Sequence, residues 1–337
     1  MIRRGAAEEF RTFSAAPLLH HTGETGIMRE LLFMEPYTRQ VLWGGTKLQE
    51  RYGYKTKGEH TGEAWVVSAT GNGQSVVSEG RWKGQTLGAL WIQHRELFGD
   101  DGENEFPLLV KLIDAREDLS IQVHPDDDYA FHHEHGGRGK TECWYIVDCD
   151  EEADIIIGHH AKSKEELAQM ICEHQWTSLL SVHKIKKGDF FFIPAGTVHA
   201  IRKGTLILEI QQNSDLTYRL YDYDRLQNGK PRELHLQKSM DVIRCPQSFE
   251  PTAGPVFPQE GYTTQSLVHC PYFSVDKYVI TKHMHIEASG RYQIVDVIEG
   301  SGRVDGHALK AGDNFIIPAN YGEAEVTGEL TLVISQE

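Results

Sequence analysis

The chain has 337 residues, a formal net charge of −15, 39% hydrophobic and 25% charged residues. That is the composition of a globular protein with length for two domains, and the acidic balance excludes a general nucleic-acid binder, which needs a basic face. No apolar run approaches the about 20 residues that span a membrane, and the segment after Arg3 and Arg4 is too short, and too broken by charge and Pro17, for a secretory signal.

Five cysteines, Cys143, Cys149, Cys172, Cys245 and Cys270, form no CxxC pair, which predicts a reduced, cytoplasmic setting. Residues 1–27 lack periodicity and read as a disordered, dispensable extension; a chain starting at Met28 is expected to keep full activity. Glu30 to Trp43 reads as strand, turn, strand, and Gly62 to Ala69 as a short strand. Leu87, Leu90, Trp91 and Leu97 give Gln85 to Phe98 a helical stripe. Phe106 to Ile113, an almost wholly apolar run, predicts a buried strand.

The stretch Leu119 to Val147 follows directly. Its two ends read as strands around a polar loop rich in Asp, His and Gly. Gln122 and His124, two residues apart, point to one face of the first; Glu142, Trp144 and Ile146 share a face of the second. Ser163 is the expected N-cap of a helical segment reaching Leu180, with Glu166 at the capping-box offset. Strands are expected at Lys184 to Ile193, Thr205 to Gln211 and Thr217 to Tyr223, then a short helix at Leu234 to Val242. Pro246, Pro251, Pro255 and Pro258 place a linker in 246–260. The remainder reads as strand after strand with glycine turns. Within it Gly312 to Ala319 (GDNFIIPA) repeats the spacing of Gly188 to Ala195 (GDFFFIPA), which suggests two copies of one β-barrel unit.

Gln122, His124, Glu142 and His199 together offer two imidazoles, a carboxylate and an amide oxygen, a set suited to a divalent transition metal with room for water or substrate. The run from Gly188 to His199, glycine, five residues, proline, one residue, glycine, two residues, histidine, resembles the second motif of the cupin barrel. In the later copy the position matching His199 is Glu323. His283 and His285 alone leave that set incomplete, so the second barrel is expected to be degenerate. His132, His133, His135, His159 and His160 read as surface histidines.

Four stretches, SIQVHPDD, GKTECWYI, the motif ending at His199, and QQNSDLTYRLYDYDR (Gln211 to Arg225), resemble the zinc-dependent type I mannose-6-phosphate isomerases in their short bacterial form. VLWGG (Val41 to Gly45) and GEAW (Gly62 to Trp65) match as well. The likeness runs from about Leu31 to the C-terminus, departs in the first 27 residues, and comes with a smaller helical part than in the long eukaryotic members. It implies a mainly β fold of two cupin (jelly-roll) β-barrels with a small helical insertion: a catalytic cupin domain over 28–250 and a C-terminal degenerate cupin domain over 251–337. It implies one Zn²⁺ per chain on Gln122, His124, Glu142 and His199, a sugar-phosphate substrate, and Arg219 and Lys140 as catalytic and substrate-binding residues. Glu63 and Asp126 are weaker substrate-binding candidates. No nucleic-acid or membrane partner is expected, and the chain is read as a monomer or small homo-oligomer.

The reaction so implied interconverts mannose 6-phosphate and fructose 6-phosphate by moving a proton between C1 and C2 through an enediol. A Lewis acid, a base and a cation are needed; the base is Lys140 or a metal-bound water. Arg219, with Tyr221 expected on the same strand face, can reach the barrel mouth; a salt bridge to Asp222 or Asp224 is its structural alternative. Two other classes use similar parts: a non-haem iron oxygenase, with two histidines and a carboxylate, and a non-catalytic sugar-phosphate sensor.

Overall fold

The apolar run after Phe106 forms the strand Leu108–Ala115, every residue of which is buried. A strand buried on both sides needs a layer on each, and the chain supplies both. The computed structural model describes residues 30–337 except 57, 59, 100, 101, 228, 289 and 320; the expected extension over 1–27 lies outside the described residues. Leu108–Ala115 pairs antiparallel with Thr205–Gln212 and Thr61–Val67 in a six-stranded sheet that also holds Glu142–Cys149, Phe190–Ile193 and Tyr37–Gln40. A five-stranded sheet faces it, in the order Leu180–Lys184, Asp154–His159, His199–Ile201, Ile121–Val123 and Tyr218–Tyr221.

Between the two sheets lies one apolar layer, with Ile113, Trp144, Ile146, Phe191 and Ile207 from the first and Ile155, Ile157 and Ile201 from the second. The outer side of the smaller sheet is covered by the helices Lys164–Cys172, Trp176–Leu179 and Leu236–Val242. Ser163 caps the first of these by accepting the Glu166 N–H, and the Glu166 carboxylate reaches back to the Lys162 N–H. The outer side of the larger sheet packs through Val110, Leu112, Tyr145 and Leu208 onto Leu267, Phe273, Ile294 and Val333 of the C-terminal half.

That half supplies eight strands of a ten-stranded sheet, completed by Leu32–Glu35 and Val76–Val77, around a core of Met284, Ile286, Val295, Phe315 and Leu332, among others. The repeat seen in sequence is a repeat of structure. Lys186 N–H and Lys310 N–H each donate to the following aspartate, Asp189 or Asp313, at 2.9 Å. Gly188 and Gly312 each donate to a strand carbonyl, Ile146 or Val297, at 2.8 Å. The same glycine-aspartate turn therefore enters the strands Phe190–Ile193 and Asn314–Ile317. In the second copy His283 and His285 project from the exposed face of His283–Glu287, while Met284 and Ile286 fill the interior.

Several local expectations are corrected. The strand, turn, strand expected over Glu30 to Trp43 is present as Leu32–Glu35 and Tyr37–Gln40, but the two lie in different sheets. The first joins Asn314–Ile317 in the C-terminal sheet and the second joins Thr61–Val67. An isolated hairpin cannot bury both its faces, whereas a chain bent at Pro36 contributes one strand to each sheet. The polar loop after His124 contains the helix Asp127–His133, started by Asp126, whose side chain accepts the Tyr129 N–H. Lys184 to Ile193 is two strand segments separated by the glycine-aspartate turn. Among the described residues no helix is long and apolar enough to cross a membrane, and all five cysteines are free thiols.

Candidate metal centre

His199 and Gln122 sit directly opposite each other on neighbouring strands of the smaller sheet. Glu142 reaches them from the larger sheet, and His124 follows the end of Ile121–Val123. The segment before His199 is held by Gly196, whose N–H donates to the His124 carbonyl at 2.8 Å. Gly196 has φ 83°, and a Cβ there would meet the Val242 carbonyl oxygen at 2.8 Å, so no other residue fits this turn.

Each imidazole is fixed by a main-chain carbonyl. His124 Nδ1 lies 2.7 Å from Leu216 O, and His199 Nδ1 lies 2.8 Å from Thr197 O. A nitrogen facing a carbonyl must carry the proton, so both Nε2 atoms present lone pairs. Those two Nε2 atoms are 3.1 Å apart. Glu142 adds Oε2 at 3.4 Å from His124 Nε2 and Oε1 at 3.5 Å from His199 Nε2. Glu142 has no exposed surface, and Lys140 Nζ lies 2.7 Å from its Oε2. Two facing lone pairs repel one another unless a cation lies between them, and the Glu142 carboxylate beside them supplies negative charge to meet one. Ligand atoms of the three residues lie within 4.8 Å of one another, the spacing of a set that could hold a metal ion. The Gln122 amide places Nε2 at 3.3 Å from His199 Nε2; half a turn of the amide would bring its oxygen to the same point.

The protons of the centre follow from its burial. Burial, with the Lys140 and His199 charges, holds His124 well below the usual histidine range. Burial likewise lowers His199 despite the Glu142 carboxylate. Both rings are therefore neutral and ready to coordinate. Lys140 Nζ is 2.7 Å from Glu142 Oε2 and 3.2 Å from His124 Nε2. Burial pushes its ammonium down, but Glu142 and Glu209 outweigh burial and hold it above the ordinary lysine value.

The residues open into a cleft of about 620 Å³ lined by Arg39, Glu63, Lys111, Gln122, Lys140 and Arg219, among others. Family profiles described as the type I phosphomannose isomerase catalytic domain and the mannose-6-phosphate isomerase cupin domain match residues 31–140 and 263–337. The mannose-6-phosphate isomerase ManA of Bacillus subtilis is 48% identical over 311 residues, covering 91% of this chain and 98% of its own length. The mannose-6-phosphate isomerase of Streptococcus mutans is 44% identical over 313 residues, covering 91% of this chain and 98% of its own. A solved mannose 6-phosphate isomerase from Bacillus subtilis superposes with a TM-score of 0.89 at 47% identity, over 91% of this chain and 99% of that one. The chain belongs to the type I mannose-6-phosphate isomerase family.

The other expected site residues of this isomerase-family chain fall into two groups. Arg219 lies across from Gln122 on the adjoining strand and lines the cleft. Among the described residues it makes no ion pair: Asp222 is instead engaged by Arg225 and Arg232. Its guanidinium donates to the Glu233 carbonyl at 2.9 Å, and its Nε is buried without a partner. A bulge between Arg219 and Tyr221 sets Tyr221 opposite Ile121, so Tyr221 leaves the Arg219 face and stacks on Trp176 outside the cleft. Glu63 lines the cleft, accepts the Trp65 indole N–H at 2.7 Å and faces Arg39 at 3.6 Å. Asp126 does not line it, because its carboxylate caps the helix Asp127–His133. His132 and His133 lie on that exposed helix; His159 is buried rather than at the surface as expected, and its Nε2–H donates to the Arg244 carbonyl at 2.9 Å, away from the centre.

Sequence reasoning missed a buried layer beneath the centre. Lys111 Nζ is 2.8 Å from Glu209 Oε1 and 2.6 Å from Gln211 Oε1, and Trp144 donates to Glu209 Oε2 at 3.1 Å. Burial raises the Glu209 carboxyl, but Lys111 and Lys140 hold it well below the ordinary range. The signal was a single lysine in FPLLVKLI and a single glutamate in TLILEIQQ. A charge inside a strand buried on both faces must have a partner.

Proposed function

We infer that this chain is a zinc-dependent mannose-6-phosphate isomerase, interconverting mannose 6-phosphate and fructose 6-phosphate through an enediol. The observation that carries this is the pair of facing lone pairs on His124 and His199, 3.1 Å apart beside a buried glutamate and lysine, in a chain of this family. His124 and His199 would hold the ion through Nε2 and Glu142 through its carboxylate, with Gln122 completing the set through its amide oxygen. Two nitrogen and two oxygen donors suit Zn²⁺. When bound, the ion supplies Lewis acidity that polarises the sugar carbonyl and steadies the charge left when a carbon-bound proton departs.

Charge balance supports an anionic substrate. Lys111, Lys140, Glu142 and Glu209 cancel among themselves, so a divalent cation makes this end of the cleft net positive. Arg219, without an acidic partner, adds a cation that can meet the sugar phosphate. Lys140 is the proton-carrying group of this reading. Burial favours its neutral amine and Glu142 its ammonium; a divalent ion held on Glu142 would offset that carboxylate's pull and leave burial to favour the amine, the form that acts as a base. The amine takes the proton from C2 and becomes ammonium, the electrons of the C2–H bond forming the C1=C2 bond of an enediolate; the hydroxyl proton passes from O2 to O1, and the ammonium returns its proton to C1. Glu63 fits a supporting role, anchoring Trp65 at the cleft wall. The five free thiols suit a reducing, cytoplasmic setting.

The test is a coupled assay of mannose 6-phosphate turnover after stripping with a chelator and again after adding zinc. Loss and recovery of activity are expected. A zinc-loaded chain that leaves the substrate untouched would overturn the assignment.

A further inference from the structure

The backbone of Arg219 is gripped by a segment far along the chain. His235 N–H donates to the Arg219 carbonyl at 2.8 Å, the Arg219 N–H donates to His235 Nδ1 at 3.1 Å, and the Arg219 guanidinium donates to the Glu233 carbonyl. Glu233 to His235 is thus a strap laid along the edge strand Tyr218–Tyr221, ahead of the helix Leu236–Val242. The Nδ1 contact fixes the chemistry of the ring. A nitrogen that accepts a main-chain N–H carries no proton, so the ring is neutral and its proton is on Nε2. Burial, with the charges of Arg219 and Lys238 set against that of Glu233, holds the ring below the usual histidine range, in accord with that form.

His235 lines the same cleft as Gln122, Lys140 and Arg219. Its side chain is 25% exposed, whereas Glu142 and His124 are sealed, so it stands toward the mouth while the metal residues form the floor. The other cations at this end are committed: Arg232 and Arg225 to Asp222, and Lys238 to Glu134 at 2.6 Å. Glu233 is the acid near the ring, 4.0 Å from Nε2 and 83% exposed on its side chain, free to turn into solvent.

We propose that His235 and Arg219 form one anion-binding pair, in which Nδ1 holds the Arg219 backbone and the Nε2–H donates to the phosphate of the substrate. This rests on the isomerase reading, which sets the reacting carbons at the metal and leaves the phosphate, at the other end of the open-chain sugar, to the mouth. A neutral donor beside an unpaired guanidinium recognises a dianion without adding a charge that would have to be neutralised in the empty cleft.

The experiment uses the full-length, zinc-loaded protein with His235→Asn and His235→Gln. Asn can replace Nδ1 as acceptor but has no donor at the Nε2 position; Gln can reach the Nε2 position but leaves the Arg219 N–H unmatched. In His235→Asn, KM for mannose 6-phosphate and the inhibition constant of inorganic phosphate are expected to rise together about tenfold or more, with kcat changing far less and zinc content intact. His235→Gln is expected to recover part of the phosphate affinity at a lower Tm. A fall in kcat with both constants unmoved, or wild-type constants in His235→Asn, would overturn the proposal. Direct calorimetric titration with inorganic phosphate reads the contact without turnover. Failure of the wild-type protein to isomerise the sugar would therefore sink the isomerase reading, while equal phosphate affinity in wild type and His235→Asn would sink this one.

Discussion

Lys111 and Glu209 stand directly opposite each other on adjacent strands, their charged ends 2.8 Å apart and both nearly dry. Glu209 also lies 4.0 Å from Lys140, so one carboxylate answers two buried ammonium groups. Removing it leaves Lys111 without a counter-charge, while Lys140 keeps Glu142 at 2.7 Å. Glu209→Ala is expected to lose on the order of 3 to 5 kcal/mol, the cost of breaking a buried pair from one side, as read from urea unfolding. The double variant Lys111→Met, Glu209→Gln should recover part of that loss. A single variant within about 0.5 kcal/mol of wild type would show that the pair is not a structural element.

The metal set makes a separate prediction. A ligand that binds only the folded chain raises its Tm, and here it also relieves the repulsion between His124 Nε2 and His199 Nε2. Chelation should therefore lower Tm by several degrees and zinc should restore it; His199→Ala should abolish the response. Equal Tm values with and without metal in the wild-type chain would mean that the cluster holds no ion.

Lys140→Met tests proton transfer. Zinc content should stay near one per chain, while exchange of the C2 proton with deuterated solvent and overall turnover fall by about 10² to 10⁴. Normal exchange in this variant would take the lysine out of the reaction and leave its bond to Glu142 as a structural one.

Arg219→Ala should keep its metal and lower kcat/KM for mannose 6-phosphate by at least about 10², because the guanidinium has no acidic partner to satisfy in the free protein. Steady-state kinetics alongside metal analysis give the answer; a variant as active as wild type would make Arg219 a scaffold residue.

Asp296 predicts a pH effect on stability. It is buried in the C-terminal sheet, neither carboxylate oxygen has a hydrogen-bond partner, and burial pushes it up to about 8. In the unfolded chain the same group titrates near about 3.9. The folded state thus keeps a proton that the unfolded state gives up. Its contribution is fully present below about pH 4 and declines as pH rises through the folded value near 8. Asp296→Asn should flatten that decline and stabilise the protein at pH 8 by a few kcal/mol, as an order of magnitude. Urea midpoints between pH 5 and pH 9 would show it, and parallel slopes for the two proteins would reject it.

By itself the sequence singled out His124, Glu142 and His199, which the fold brings within 4.8 Å of one another, and Gln122 opposite His199. Gln122, His124, Glu142 and His199 were legible because each sits beside a glycine, a proline or a buried strand whose conformation is local, and alternation along a strand decides which face a side chain takes. The repeated glycine-aspartate turn was legible for the same reason. Tertiary structure alone decided what depends on register and path. It set Lys111 against Glu209, 98 residues apart, bent the chain at Pro36 between two sheets, turned Tyr221 to the far face through a bulge, used Asp126 as a helix cap, and laid His235 on Arg219. Register between distant strands is chosen by packing over the whole sheet, because a shift of one residue moves every side chain to the other face, and no short stretch of sequence records that choice.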